Sequence, residues 1–224
     1  MIIPHTFNNT IFKNYKIGSI LNTEIDILAK YIEIRQQRMI NSIDEIISSI
    51  KKGEMVIIMD DENRENEGDL VMASQFVKAS DINFMASKGR GLICLTLTES
   101  KCKDLDLPLL KQSGSESSKE TNFTVSIDAI KGVTAGISAS DRARTIRAAV
   151  KKSAKSRDFA QPGHIFPIMA KNGGVLTRAG HTEASVDISM LAKKNTSAVI
   201  CEIMSEDGTM AKGEKLFNLS LIHI

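Results

Sequence analysis

An acidic segment, Asp60–Asp69, interrupts this chain between two short apolar runs. The segment holds six acidic residues around a single Arg64, and the runs Met55–Met59 and Leu70–Ala73 each have the length of a buried strand. Because like charges at this density repel, such a segment needs a cation, an Arg or water among its carboxylates. It is therefore either a solvated acidic turn or a cation-binding loop between two strands.

The spacing of the acids inside the segment favours cation binding. If the loop is extended, Glu65, Glu67 and Asp69 point to one side, because side chains of extended backbone alternate. Arg64 and Asn66 would then point to the other side. Mg²⁺ prefers oxygen ligands and usually binds through one or two carboxylates while it keeps several waters. One Glu and one His, with waters and substrate oxygens, can complete such a site.

A second polar segment, Arg178–Glu183, supplies groups that the acidic segment lacks. His181 is the best metal-ligand candidate among the four His, although a lone His is more often structural than ligating. Arg178 can grip phosphate through its two-donor fork, and Gly180 permits close approach of the backbone. Thr182, at the start of an expected helix, can add a hydroxyl and a backbone N–H. The two segments together predict a metal site that handles a phosphorylated polyol.

Two further titratable residues stand out from their surroundings. Glu202 lies within an apolar strand, where a carboxylate is costly unless it is paired or functional, and it is a candidate general acid or base. His164 lies between Pro162 and Pro167 in a stiffened segment. A functional role and a structural role at a strand end are equally consistent with its position.

The composition argues against several classes of protein. The net charge is +2 and the Lys and Arg residues are scattered, so no nucleic-acid partner is expected. The apolar runs are shorter than the roughly 20 residues that span a bilayer, and the N-terminus lacks a signal-peptide pattern, so no membrane partner is expected. The three Cys form no Cys-x-x-Cys motif, which fits a reducing, cytoplasmic location.

Helical and strand patterns alternate irregularly from Ser42 onward, which predicts a mixed sheet with helices on both faces. Ser42 and Glu45 form a capping box, and Gly53 ends that helix. Other helices are expected over 24–37, from Ser80-Asp81 toward Lys88, over Asp141–Lys152 after a Ser140 cap, and over Thr182–Lys193. Strands are expected at Met55–Met59, Leu92–Leu97, Phe123–Asp128, His164–Ala170 and Ala198–Met204. The polar segment Ser113–Glu120 has the composition of a lid.

Six segments of the chain, in order, resemble the 3,4-dihydroxy-2-butanone 4-phosphate synthase family of riboflavin biosynthesis. They are Asp60–Asp69, Thr121–Asp128, Gly136–Arg142, Pro162–His164, Arg178–Glu183 and Glu206–Ala211. The resemblance covers about Ser42 to Lys212, and the combination of segments is highly specific.

The resemblance implies conversion of D-ribulose 5-phosphate to L-3,4-dihydroxy-2-butanone 4-phosphate and formate, by metal-assisted enolisation, rearrangement and formate elimination. Mg²⁺ is the implied cofactor, with Mn²⁺ as an alternative, and Glu65 and His181 are the implied metal ligands. The implied substrate-binding residues are Arg64, Glu65, Asp69, Arg178, Ala179, Gly180, His181, Thr182 and Glu202. His164 and Glu202 fall where the family has its essential acid/base pair. The implied fold is an α+β three-layer sandwich, a mixed β-sheet covered by helices on both faces, and the implied assembly is a homodimer with sites at its interface.

The chain departs from the family in two places. Ala135 stands where the family often has Thr, which removes a hydroxyl near the implied site. After Lys212 the family continues with a turn, a helix and a closing segment that this chain lacks, and Leu219–Ile224 resembles translated adapter sequence from a DNA library. We therefore expect an N-terminal extension at 1–38, a C-terminally truncated synthase domain at 39–218 and a non-native tail at 219–224. A fused GTP cyclohydrolase II domain in the native gene stays open.

Two other functions are compatible with the same residues. One is a different metal-dependent sugar-phosphate lyase or isomerase, and the other is an inactive binding or regulatory domain of the same fold. Release of formate distinguishes the synthase from both. The intact set of site residues argues against an inactive domain, because such a domain has no physical need for buried carboxylates.

Overall fold

The computed structural model describes residues 40–61, 64–111 and 121–223, with the backbone alone for residues 214 and 220–223. Nearly all of these residues belong to one unit, Ser42–Ile224. The expected extension at 1–38, the helix expected within it and the lid-like segment Ser113–Glu120 lie outside the described residues.

The described helices and strands alternate along the chain. The α-helices are α1 (Ile43–Lys52), α2 (Ala79–Phe84), α3 (Glu99–Asp104), α4 (Ala139–Ala149), α5 (His181–Leu191) and α6 (Glu214–His223). The strands are β1 (Val56–Met59), β2 (Gly68–Ala73), β3 (Arg90–Leu97), β4 (Ile127–Ala129), β5 (Phe159–Met169) and β6 (Ser197–Ile203). Short 3₁₀ turns lie at Ser74–Phe76, Ser156–Asp158 and Gly174–Leu176, and a π-turn lies at Met85–Gly89.

The strands form one mixed sheet in the order β1-β2-β6-β3-β5-β4. Strands β3 and β5 are parallel, and the other neighbours are antiparallel. The apolar residues of α4 pack in the core cluster on one face of the sheet, and those of α1 and α5 pack in the cluster on the other face. The α+β fold with a mixed, helix-covered sheet is therefore confirmed.

Helix α1 begins and ends where the sequence predicts. Ser42 Oγ accepts the Glu45 N–H at 3.3 Å, and Glu45 Oε2 accepts the Ser42 N–H at 2.8 Å. Gly53 ends the helix in a left-handed conformation. Ile50 of this helix is fully buried in the same cluster as Val71 of β2. Local capping therefore sets the limits of α1, and burial of its apolar side holds it on the sheet.

Two other helix starts differ from the expected ones. Ser138, not Ser140, caps α4, because Ser138 Oγ accepts the Asp141 N–H at 3.0 Å. Helix α2 begins after Lys78, whose N–H is bound by Asp81 Oδ2 at 2.7 Å, and gives way to the π-turn at Met85. In both helices an acidic residue in the first turn takes part in the cap.

The strands at one edge of the sheet also differ from expectation. Strand β4 covers only Ile127–Ala129, and Phe123 and Thr124 form isolated bridges instead. Strand β5 begins at Phe159, before the expected His164, because Phe159 and Ala160 pair with β4 ahead of a shift in register. The irregular edge leaves His164 in a bulged part of β5.

Two observations bear on the expected class of protein. Cys94, Cys102 and Cys201 are buried free thiols, as expected for a chain without a disulfide framework. In the part of the chain that the structure describes, no helix is both long enough and apolar enough to cross a bilayer. The backbone of α6 continues to His223, which does not test the expected non-native origin of 219–224, and that origin stays a prediction.

Candidate active site

Strands β2 and β6 carry carboxylates toward the same corner of the sheet. Asp69 and Glu202 are opposite each other in these antiparallel strands. Val71 and Ile200, two residues along each strand, pack in the same cluster as Ile188 of α5. Since residues two apart in a strand share a face, both carboxylates lie on the face that α5 covers.

His181 is the first residue of α5 and completes this corner. Its Nδ1 lies 3.4 Å from Asp69 Oδ1, and its Nε2 is buried with no hydrogen-bond partner among the described residues. Burial lowers the pKa of His181, although the nearby charges of Asp60 and Glu65 oppose that effect. A neutral imidazole whose Nδ1–H is directed at a carboxylate keeps the Nε2 lone pair for a metal ion.

Asp60 organises the acidic loop, a role that sequence reasoning missed. Its carboxylate accepts the Arg64 guanidinium at 2.5 Å, the Glu65 N–H at 3.2 Å and the Glu67 N–H at 2.8 Å. Burial alone would raise the pKa of Asp60, but the hydrogen bonds from Glu67 and Arg64 outweigh it and lower the pKa. In the sequence, Asp60 differs from its acidic neighbours only in following the apolar run directly, and this position did not indicate that it organises the loop.

The acidic loop turns at residues 64–65 and is not extended there, so the condition for alternating side chains is not met at Arg64 and Glu65. Asn66 has a φ of 53°, and a turn at residues 64–65 brings Arg64 Nη1 to 3.1 Å from Glu65 Oε2. Arg64 therefore lies beside Glu65 and not on the opposite side. The physical reason is Asp60, which binds two backbone N–H groups of the loop and folds it back. Residues 62–63 of the loop lie outside the described ranges.

The carboxylates around this corner repel one another. Burial raises the pKa of Asp69 well above its usual value, and the charges of Glu202 and Glu67 raise it further. Burial and the charge of Glu65 raise the pKa of Glu67. A nearby positive charge would therefore stabilise the ionised form of each of these carboxylates.

The donor set fits a hard divalent cation. Glu65 and His181 interact electrostatically, and the buried Nε2 of His181 has no other partner among the described residues. The described residues contain no group of three or more His, Cys, Asp or Glu arranged to hold a metal. Mg²⁺ does not require such a group, because it keeps several waters and uses one or two carboxylates. Glu65 and His181 as ligands stay a prediction that this geometry supports.

Arg178 is held in place by a buried acid, Glu183, which sequence reasoning did not assign. Arg178 Nη1 donates to Glu183 Oε2 at 2.7 Å, and Nη2 donates to Thr121 Oγ1 at 3.2 Å. Glu183 is 1% exposed, and its Oε1 accepts the Lys171 N–H at 3.0 Å. The guanidinium is therefore oriented by the protein itself, and its interaction with His181 places it near the carboxylate corner.

The rest of the predicted phosphate segment forms the start of α5. Ala179 is exposed, Gly180 is the N-cap residue, and no side chain caps this helix. The N–H groups of its first turn have no acceptor within the helix and form a natural anion site. Thr182 is buried, and its backbone N–H is one of these first-turn donors.

Glu202 is oriented by the neighbouring strand β3. Its Oε2 accepts the Leu92 N–H at 2.9 Å. A side chain at Gly91 would place its Cβ 2.4 Å from the Glu202 carbonyl and 2.8 Å from Oε2, so glycine is required for this approach. Among the described residues, no Lys or Arg forms an ion pair with Glu202. The carboxylate is therefore fixed by a backbone donor and not by a salt bridge.

His164 is paired with Asp128 on the neighbouring strand. Its Nδ1 lies 2.6 Å from Asp128 Oδ2, and its backbone N–H donates to Asp128 Oδ1 at 3.0 Å. No hydrogen bond or ion pair of the described residues joins His164 to Glu202. The structure connects the carboxylate-corner residues, which are Arg64, Glu65, Asp69, Arg178, His181 and Glu202, whereas the described side-chain contact of His164 is with Asp128.

A loop before α4 covers the His164–Asp128 pair. A Cβ at Gly136 would lie 2.2 Å from Asp128 Oδ2 and 2.5 Å from His164 Nδ1. Asp141 holds this loop, because its Oδ2 accepts the Thr134 N–H, the Thr134 hydroxyl and the Gly136 N–H at 3.0–3.1 Å. Asp141 therefore positions the backbone that packs against the imidazole.

Replacing Asp141 with Asn is expected to lower the melting temperature at pH 7 by roughly 2–4 °C. Burial would raise the pKa of Asp141, but the hydrogen bonds from Thr134 and Gly136 prevail and lower it. A lowered pKa in the folded state gives stability that is present above the unfolded pKa and lost as pH falls through the folded pKa. Melting curves of wild type and variant should therefore converge in acid. An equal difference at all pH values would contradict this role, and Asp104→Asn, at an exposed site, is the control.

Comparison with known proteins identifies close relatives of this chain. The family model described as 3,4-dihydroxy-2-butanone 4-phosphate synthase matches residues 44–223. The 3,4-dihydroxy-2-butanone 4-phosphate synthase of Pseudomonas aeruginosa is 54% identical over 177 residues, which cover 79% of this chain and 48% of that protein. The riboflavin biosynthesis protein RibBA of Aquifex aeolicus is 52% identical over 191 residues, which cover 84% of this chain and 47% of that protein. The chain spans about half the length of these curated relatives.

Solved structures share the fold. One of them is RibBX, a two-domain 3,4-dihydroxy-2-butanone 4-phosphate synthase from A. baumannii. It superposes with a TM-score of 0.76 at 50% sequence identity, and the match covers 81% of this chain and 53% of the RibBX chain. Another is a 3,4-dihydroxy-2-butanone 4-phosphate synthase in complex with two magnesium ions. It has a TM-score of 0.76 at 37% sequence identity, and the match covers 81% of this chain and 89% of the synthase chain. A protein with this fold therefore binds magnesium.

Proposed function

Because this chain belongs to the 3,4-dihydroxy-2-butanone 4-phosphate synthase family, we propose that it converts D-ribulose 5-phosphate to L-3,4-dihydroxy-2-butanone 4-phosphate and formate. The reaction would serve riboflavin biosynthesis in the cytoplasm. The observation that carries the proposal is the carboxylate corner itself. The imidazole of His181, whose buried Nε2 has no described partner, lies among mutually repelling carboxylates and near an Arg that is already oriented.

The cation-binding part of the site supplies one half of the chemistry. Glu65 and His181 would hold Mg²⁺, with Mn²⁺ as an alternative. A bound divalent cation polarises a carbonyl and its neighbouring hydroxyl and so favours enolisation. Arg64 and Asp69 lie beside these two residues and are suited to bind the hydroxyl groups of the substrate.

The other half of the chemistry is phosphate binding and proton transfer. Arg178 and the free N–H groups at the start of α5 would bind the phosphate, with Ala179, Gly180 and Thr182 forming the backbone of that pocket. Glu202 is suited to move protons at the substrate, because it has no ion-pair partner among the described residues. His164 would be the second proton-transfer group, with Asp128 orienting its ring.

A homodimer would bring a second chain to the site. Several large apolar side chains are exposed around it, and an interface would cover them. Leu92 adjoins the Glu202 contact, Ile137 adjoins the loop over His164, and Leu176 precedes Arg178; they are 42%, 55% and 96% exposed. Light scattering of the purified protein tests this assembly, and a monomer with full activity would contradict it.

The central experiment is incubation of the purified chain with ribulose 5-phosphate and Mg²⁺, followed by a formate assay. Formate release with loss of one carbon from the sugar phosphate supports the synthase. Turnover without formate would indicate another sugar-phosphate lyase or an isomerase, and binding without turnover would indicate an inactive domain. A parallel assay with Mn²⁺ compares the two metals.

Replacing Arg178 with Lys is expected to raise KM for ribulose 5-phosphate by roughly 10-fold and to lower kcat less. Lys keeps the charge but cannot bond Glu183 and Thr121 through a planar fork and still face a phosphate. Steady-state kinetics measure the effect. The matched control is Arg90→Lys, because Arg90 forms an exposed ion pair with Glu206. An unchanged KM in the Arg178 variant would remove the phosphate role.

A further inference from the structure

A basic groove lies away from the carboxylate corner, between the end of β4, the second half of α4 and the 3₁₀ turn Ser156–Asp158. Its volume is about 520 Å³, within the range of small-molecule sites. Helix α4 packs on the face of the sheet opposite to that of α5. The groove is therefore separate from the carboxylate corner, although its residue Ala129 directly follows Asp128, the partner of His164, in β4.

The groove is lined by many more cations than anions. Five of its side chains are basic and one is acidic, and the basic ones are Lys131, Arg144, Arg147, Lys151 and Arg157. None of these five forms an ion pair with a carboxylate of the described residues. The single acid, Asp158, has one carboxylate oxygen bound to the Lys155 N–H at 2.9 Å. The cations therefore repel one another with little compensation from the protein.

Contacts with the backbone hold two of these cations at the groove. Arg147 Nη1 donates to the Val77 carbonyl at 2.6 Å. The Arg144 guanidinium lies against Gly132, where a Cβ would be only 2.5 Å from Nη1. These contacts fix the two arginines without neutralising them.

A solvated basic face is the simpler explanation, and helix α4 accounts for part of it. Cations are favourable near the C-terminus of a helix, which explains Arg147 and Lys151. It does not explain Lys131, which follows β4, or Arg157, which lies in the 3₁₀ turn. Basic residues from three separate elements therefore converge on one concave surface, which helix electrostatics alone does not require.

We propose that this groove binds a small phosphorylated polyanion of the diphosphate or nucleotide class. Three arginines can bond phosphate oxygens through their forks, and the lysines add charge. Ala129, Ala148 and Ala154 give the groove an apolar floor that can hold the uncharged part of such a ligand. Nucleic acid fits less well, because the chain has no Trp, few aromatic residues and a net charge of only +2.

The test is a calorimetric titration of the full chain with inorganic diphosphate, carried out in an Arg178→Gln background. This background removes the phosphate contact proposed for the carboxylate corner, so the remaining binding reports on the groove. We expect saturable binding that weakens at least 10-fold in Arg144→Gln/Arg157→Gln. Formate release by the same pair of changes in the wild-type background should stay normal.

A matched control removes the same charge elsewhere. Lys51→Gln/Lys52→Gln lowers the net charge by two at exposed positions of α1, and it should leave diphosphate binding unchanged. Equal weakening in both double variants would overturn the proposal, since it would show general electrostatic attraction. Absence of saturable binding would overturn it as well. Tighter binding of a single-stranded oligonucleotide than of diphosphate or ATP would assign the groove to nucleic acid instead.

Discussion

Replacing Glu202 with Gln is expected to lower formate production by roughly 10²-fold or more while the fold stays intact. Gln keeps the shape of the side chain and an oxygen that can accept the Leu92 N–H, but it cannot exchange a proton. Since no Lys or Arg of the described residues pairs with Glu202, the change leaves no cation unpaired. It also removes one of the charges that raise the pKa of Asp69. The melting temperature should therefore be equal or slightly higher.

Single-turnover kinetics and thermal melting together distinguish the two possible roles of Glu202. Glu206→Gln is the control, because Glu206 lies just beyond the same strand in an exposed ion pair with Arg90. If Glu202 instead maintains the structure through its hydrogen bond with the Leu92 N–H, stability falls by about 1–3 kcal/mol and activity is lost only in proportion to unfolded protein. Normal melting together with normal formate release would reject both roles.

Replacing Glu65 with Gln, or His181 with Asn, is expected to weaken Mg²⁺ binding by roughly 10²-fold. The first change removes a carboxylate and the second removes the imidazole whose Nε2 has no other described partner. A ligand that binds only the folded state raises its stability according to concentration and affinity. In the wild type, Mg²⁺ should therefore raise the melting temperature, because it also relieves the repulsion around Asp69.

Melting with increasing Mg²⁺, after treatment with EDTA, measures this effect without reference to activity. The two variants should require a far higher Mg²⁺ concentration for the same rise, and EDTA should abolish formate release by the wild type. Glu54→Gln is the control, since Glu54 forms an exposed ion pair with Lys52 away from the acidic loop. A full response in either variant would remove that residue from the ligand set.

Local signals predicted much of the fold. The capping box of Ser42 and Glu45 and the stop at Gly53 act over three or four residues, so sequence alone located α1. The start of α4 was misassigned because Ser138 and Ser140 are both suitable caps. Ser138 is the cap because Asp141 holds both it and the preceding loop. The Asp141 N–H donates to Ser138 Oγ, and the Asp141 carboxylate accepts the Gly136 N–H.

The residue types of the candidate site were also readable from the sequence. A carboxylate block after a strand, a His after Gly and Arg, and an acid within an apolar strand each conflict with ordinary packing. These conflicts marked Glu65, Asp69, His181 and Glu202. They did so because a charged group in an apolar segment is costly to bury unless it is paired, whatever the fold around it.

Only the tertiary structure decided how these groups are held. The partner that orients His164 is Asp128, 36 positions earlier, and the donor that orients Glu202 is Leu92, 110 positions earlier. Glu183 lies only five positions after Arg178, to which it is hydrogen-bonded. Its orientation nevertheless depends on the fold, because its second oxygen accepts the Lys171 N–H. Hydrogen bonds of this kind form only after the sheet sets its register, and no local pattern encodes which of many carboxylates will face a given donor. The sequence by itself therefore determined which chemical groups the site contains, and the folded sheet determined their partners, because pairing across strands is a property of the assembled chain.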